Sequence, residues 1–272
     1  MGFNRIFSGK NRYTWNSFVM IRGGFFLLVC LFLSFGAMSQ RKEKPQNYFG
    51  FQFRPLIPLN LVGDRPFDMI ADEFETTVSS RFGYSYGGVI RAGVSRQISI
   101  ETGINYTKRN YGLDFRIPDS NLTAFNTVGF VNYDIPANLL VYIMLDKNLY
   151  MNTSLGASLN FYPSNVRTIK NIEGTPHLFI LEGRRVAFFS TDLNANVGFE
   201  YRTEKSGIFY LGISGKLPLQ PIFLIATEYR NDTYRKVAID LVDGATFSID
   251  LKYFFHQPPK KGIQYHPSII EQ

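Results

Sequence analysis

The sequence predicts an all-β fold, an eight-stranded antiparallel up-and-down transmembrane β-barrel with long external loops and short periplasmic turns. Three observations carry that expectation. Long segments alternate in hydrophobicity with period two, the second face of each segment is small and polar, and short connections alternate with long ones. Composition agrees: 26 Phe, 16 Tyr and 23 Gly against a single Trp favour strands and turns over helices.

The amino-terminal segment is read first. Arg22 precedes Gly-Gly and the apolar run Phe25 to Phe35, and Ala37-Met38-Ser39 has the small-x-small form of a cleavage site. Residues 1–39 are therefore expected to be a signal peptide, with a possible true start at Met20. The apolar run is shorter than the roughly 20 residues a helical span needs. The only cysteine, Cys30, lies inside it, so the rest of the chain can form no internal disulfide. Arg5, Lys10, Arg12 and Arg22 also fall in this segment, which contains no acidic residue. The remainder carries a net charge of only +3 out of the formal +7, with no basic stripe, which argues against a nucleic-acid partner.

After a short periplasmic segment at 40–47, the barrel is expected to span 48–255. Eight strands are placed at roughly 48–57, 84–95, 98–110, 127–144, 148–162, 188–202, 208–217 and 245–255. In the third, Ile98, Ile100, Thr102, Ile104 and Tyr106 oppose Ser99, Glu101, Gly103 and Asn105. In the last, Phe247, Ile249, Leu251, Tyr253 and Phe255 oppose Ser248, Asp250 and Lys252. The segments around 149–162 and 191–201 repeat the pattern, with Asn, Ser, Gly, Asp and Glu on the second face. Such a face is too small and polar for a conventional core. The apolar face must then point outward, and the solvent it meets is lipid.

The connections at Arg96-Gln97, near Asp146-Lys147 and at Thr203 to Gly207 are short, whereas 58–83, 111–126, 163–187 and 218–244 are long and are read as external loops. Both termini then fall on the periplasmic side of the outer membrane of a Gram-negative bacterium. On the inward parity lie Arg54, Arg91, Lys216 and Lys252 with Glu101, Asp134, Asp192, Glu200 and Asp250, expected to be a mutually paired ionic filling of the lumen. Tyr106, Tyr133, Tyr142, Phe161, Tyr201, Tyr253 and Phe255 are placed on the outward parity near strand ends, as an aromatic girdle. The implied partner of that surface is outer-membrane lipid.

The run from Gly87 to Leu145 resembles the PorT-like outer-membrane β-barrel family of Bacteroidota. The matching positions are Gly103 and Tyr106 in a Gly-x-x-Tyr ending, then Tyr133, Ile135 and Pro136 in a Tyr-x-Ile-Pro motif followed by Leu139 and Leu140. The resemblance implies an outer-membrane barrel acting as an accessory or structural subunit of protein export or assembly machinery. A strand proline removes a ladder hydrogen bond, so Pro136 is expected to mark a bulge. The tail 256–272, with Pro258, Pro259, Lys260 and Lys261, departs from barrels that stop at the last strand and is a candidate periplasmic handle for another subunit.

Catalytic chemistry is weakly represented. No GxSxG, HExxH, phosphate loop or ligand-spaced His/Cys cluster occurs, so no cofactor, metal or enzyme activity is expected. The alternative of an outer-rim lipid-modifying enzyme rests on His177 with Glu173 or Glu182 and Ser164 or Ser190, while His256 and His266 lie at the opposite end. A small-solute pore is the third reading.

Overall fold

The computed structural model describes residues 47–57, 67–71, 74–95, 97–117, 122–171, 176–233 and 235–256. The signal peptide, the tail with Pro258, Pro259, Lys260 and Lys261, His266 and Glu173 all lie outside the described residues. Every described element is a β-strand: β1 (Asn47–Ile57), β2 (Phe67–Ala71), β3 (Phe74–Gly93), β4 (Ile98–Ile117), β5 (Leu122–Met144), β6 (Leu149–Phe161), β7 (Val166–Asn171), β8 (Leu178–Arg185), β9 (Phe189–Arg202), β10 (Ile208–Pro218), β11 (Phe223–Arg230), β12 (Arg235–Val242) and β13 (Thr246–Phe254).

All pairings are antiparallel. One sheet runs β1-β13-β10-β9-β6-β5-β4-β3-β2, and β1 pairs with β3 as well as with β13, so the pairing order returns to its start. A second sheet runs β12-β11-β8-β7. The strands β1, β3, β4, β5, β6, β9, β10 and β13 overlap the eight predicted intervals, but β3, β4 and β5 run beyond theirs and the described residues hold thirteen strands rather than eight.

Three tight connections join them at one end. Val94 N–H donates to the Ile98 carbonyl at 2.9 Å, Leu145 N–H to Leu149 at 2.9 Å and Thr203 N–H to Gly207 at 3.0 Å. Gly207 needs its lack of a side chain twice over: its φ is +86°, and a Cβ there would lie 2.2 Å from the Phe254 carbonyl oxygen. The opposite end corrects the expectation of long loops. Residues 74–83 extend β3, 111–117 extend β4, and 122–126 begin β5. The stretches 163–187 and 218–244 carry the hairpins β7–β8 and β11–β12, which pair with each other through β8 and β11.

The extension has its own core, built from Phe74, Val78, Tyr111, Leu113, Phe115, Val128, Phe130, Phe179, Leu181, Phe223, Ile225 and Tyr229 among others. Phe130 and Phe223 stack at 4.0 Å and Phe115 and Phe179 at 5.0 Å, so aromatic packing joins the two sheets.

Along β4 the chemistry of the two faces exchanges. From Ser99 to Arg109 the buried odd positions are polar or small while Ile100 and Ile104 are exposed; from Tyr111 to Ile117 the buried positions are Tyr, Leu, Phe and Ile while Asp114 and Arg116 are exposed. β5 inverts likewise, from buried Val128 and Phe130 to buried Asn132 and Asp134. Backbone parity is unchanged through both strands, so what changes is the medium each face meets.

Pro136 interrupts the β4–β5 ladder without shifting its register: pairing stops after Thr102↔Ala137 and resumes at Asn105↔Asp134 in the same phase. The expected bulge is absent there because an isolated missing donor can be tolerated by a local gap. The register shift lies instead in β3, between Arg81 and Tyr84.

Candidate functional site

The enclosed polar face of the eight strands holds the charges that the inward parity singled out. Arg91 on β3 donates from Nη2 to Glu101 Oε2 on β4 at 2.7 Å and pairs through Nη1 with Glu200 on β9. β3 and β9 stand four strands apart in either direction round the pairing order, so this contact joins strands that are not hydrogen-bonded neighbours. Lys252 on β13 reaches Glu101 at 2.5 Å, and Arg202 reaches Glu200 at 2.7 Å.

A second group forms around Asp134 on β5. Lys216 of β10 donates to it at 2.6 Å, Arg54 of β1 stands 3.6 Å away, and Asn105 and Thr107 of β4 each donate at 3.0 Å. Nearer the extension, Asp192 faces Arg109 at 3.8 Å. Asp250 accepts from Ser214 at 2.8 Å, Ser248 at 2.9 Å and Asn196 at 2.9 Å, with no cation in ion-pair contact among the described residues. A carboxylate can stay charged when buried if several donors serve it, and each of these except Asp192 has such a shell.

All nine candidate luminal residues thus lie on one face, and cross-strand contacts bring them together in groups. The sequence reading missed Arg109 and Arg202. Both were within reach of simple parity, since Arg109 shares the odd phase of Glu101 and Arg202 the even phase of Glu200. Tyr142 requires correction: it is buried rather than part of the outer girdle, with Arg91 5.7 Å and Arg202 5.2 Å from its ring centroid. Its even phase is that of Asp134, and its ring packs against two inward guanidiniums instead of lipid.

The other girdle candidates sit on the outer face. Tyr86, Tyr106, Tyr133, Phe161 and Phe189 are directly opposite one another on five successive strands, a continuous aromatic row. At the tight-turn end, Tyr201, Phe209, Tyr253 and Phe51 form a second row, with Phe255 stacked on Phe49 at 5.8 Å. Between the rows the exposed side chains include Ile104, Ile135, Leu139, Leu155, Leu159, Leu193, Leu211 and Ile213.

The described residues considered for catalysis have the following partners. His177 Nδ1 lies 2.6 Å from the Tyr229 hydroxyl, and the Ser190 hydroxyl donates to Tyr162 at 3.4 Å. Glu182 is instead engaged by Arg184 at 3.2 Å and Arg167 at 3.5 Å. Among the described residues no group of three His, Cys, Asp or Glu side chains is placed to hold a metal ion.

No protein-family model matches the chain, and no curated relative matches it. Among solved structures it is similar to the outer membrane protein OprG from Pseudomonas aeruginosa, at 14% identity and a TM-score of 0.45, over 78% of this chain and 96% of that one. The beta domain of the Bordetella autotransporter BrkA matches at 12% identity and TM-score 0.24, covering 79% of this chain and all of the other. The outer membrane protease OmpT from Escherichia coli matches at 11% identity and TM-score 0.23, over 79% and 99% of the two chains.

Proposed function

We propose that the chain is a closed eight-stranded barrel embedded in the outer membrane of a Gram-negative bacterium, non-catalytic, with a polar interior and an external β-structure that serves as its working surface. The observation that carries this reading is the two-sided wall: buried, ion-paired side chains on one face and exposed Ile, Leu, Phe and Tyr on the other. A soluble barrel has the reverse arrangement, because burying charge while exposing hydrocarbon is favourable only where the outer medium is itself hydrocarbon.

Register supports closure. Starting from Phe53, opposite partners followed through β3, β4, β5 and β6 arrive at Phe189 on β9, whereas the route through β13 and β10 arrives at Phe199. The ten-residue stagger on one strand corresponds to a strand tilt of about 40°, within the range for membrane barrels. On β4, the ten steps from Ile98 to Lys108 then rise about 25 Å, the height of the apolar band of such barrels.

Cross-lumen pairs at the Arg91 and Asp134 levels support a closed interior over a small-solute pore. The β7–β8 and β11–β12 hairpins add a platform of backbone and charged side chains outside the lipid, and the PorT-like resemblance supports using it as an accessory or structural subunit of export or assembly machinery. Both termini are periplasmic in this reading, since the tight turns are on their side.

Planar-bilayer recording tests the closed interior. The expected trace is flat, with no stable unitary openings, and well-resolved channels in the purified chain would contradict it. Cross-linking from Arg167 and Arg235 positions in native outer membranes tests the platform: discrete adducts with other membrane or periplasmic subunits are expected, and an exclusively uncross-linked chain would contradict the accessory role.

A further inference from the structure

We propose that Arg81 and Lys108 form a binding site for the phosphate headgroup of a membrane lipid, on the outer face of β3–β5 where the apolar band ends. The proposal rests on the membrane reading above and adds a specific ligand to it. Lys108 is directly opposite Tyr84 and Arg81, opposite Asn110, lies one outward position farther along, so the two cations stand at the edge of the cluster Tyr84, Tyr86, Tyr106 and Tyr133. That is the level at which acyl chains end and lipid phosphates begin.

The local structure leaves room for a ligand-facing pair. On the outward face, a Cβ at Gly112 would lie 2.6 Å from Arg81 Nε, and a Cβ at Gly129 would lie 2.9 Å from Lys108 Cε. The two glycines therefore let both cationic chains lie along the sheet where a larger residue would lift them off. Arg81 sits at the β3 bulge, which redirects the strand, and Asn110 holds the bulge by donating to the Phe82 carbonyl at 2.7 Å. Asn110 is a positioning residue in this arrangement.

Charge separates this pair from four arginines of the extension. Arg167, Arg184, Arg230 and Arg235 are each in ion-pair contact with Glu182 or Glu228. Arg81 has an aromatic partner, with its guanidinium 5.4 Å from the Phe125 centroid, and neither it nor Lys108 has a carboxylate within ion-pair distance among the described residues. Asp114, on the same outward phase, lies farther along β4 toward the water side. Two adjacent cations with no protein anion, above tyrosines and an apolar wall, match a phosphate that arrives attached to acyl chains.

The test uses the full mature chain in phosphatidylcholine nanodiscs titrated with lipid A, read by native mass spectrometry, alongside the heat-modifiable gel shift of a folded barrel. Wild type is expected to retain lipid A, and the Arg81→Gln/Lys108→Gln variant to bind it about tenfold more weakly with its gel shift unchanged. Lipid A stripped of its phosphates should bind both proteins equally weakly, and Arg116→Gln should bind lipid A as wild type does. Equal binding by the double variant would overturn the site. Displacement of lipid A by inorganic phosphate at similar concentration would also overturn it, by making the ligand a free anion. Failure of wild type to insert into the nanodisc would instead refute the membrane reading beneath it.

Discussion

Arg91 joins the largest group of charges in the molecule, since it meets Glu101, Glu200 and the ring of Phe254 at 4.1 Å. Removing one partner from a buried ionic cluster leaves the others uncompensated, which costs several kcal/mol more than the pair itself contributes. Lys252 and Arg202 remain beside the two carboxylates, so Arg91→Ala is expected to destabilise the folded barrel by about 3 kcal/mol, at the low end of that range. Urea unfolding in lipid vesicles measures this, and a change below about 1 kcal/mol would show that solvent already screens the cluster. Outside the membrane, burial pushes the Glu228 carboxyl up, but hydrogen bonds from Arg235 and Arg230 outweigh it and hold it below its usual range. A depressed carboxylate contributes stability above its unfolded value and loses it as pH falls through the folded one. The β11–β12 hairpin should therefore loosen below about pH 4.5, the ordinary glutamate value. Amide exchange across that pH should show the step in wild type and its absence in Glu228→Gln.

At the scale of the element, each long strand is two strands joined end to end with opposite amphipathicity. The Phe130 ring belongs to the upper half, packed between Tyr111 at 5.6 Å and Phe223 at 4.0 Å. Phe130→Ala should cost about 3–5 kcal/mol of local stability, because it opens a cavity in the apolar core of the extension. Faster exchange at β8 and β11 with β13 unchanged would confirm that the extension is a separate layer of stability, and equal acceleration throughout would contradict it. This inversion also explains what could be read in advance. The segments with exposed apolar and buried polar faces were legible because period two and a polar second face coincide there over nine or more residues. Their extensions were not, since at Arg109–Asn110 the apolar phase crosses to the other face and a search for one continuous pattern stops there. β7, β8, β11 and β12 are only 6 to 8 residues long, and the alternation in Phe223, Ile225, Thr227 and Tyr229 is the signal that could have found β11. Tyr142 was misplaced for a related reason: an aromatic ring near a strand end suits a lipid girdle and a guanidinium partner equally well, and only phase relative to Asp134 separates them.

For the molecule as a whole, the strand pairings, the ionic groups and the aromatic rows are what the proposed membrane reading requires of one wall between two media. In the proposed closed barrel, contacts such as Arg91 to Glu200 and Lys216 to Asp134 span the interior. Beyond the aromatic row from Tyr86 to Phe189 the same strands continue into the extension, where an apolar core replaces the ionic one and Asp114 and Arg116 are exposed. The exchange of faces along β4 can be read position by position. The only cysteine of the chain is Cys30, so single cysteines can be introduced from 98 to 116 and spin-labelled in reconstituted vesicles. Even positions from Ile98 to Tyr106 should be accessible to oxygen and shielded from a water-soluble nickel chelate, with the preference reversing between Lys108 and Asp114. Even positions that favour the aqueous chelate along the whole strand would show that no lipid boundary crosses β4.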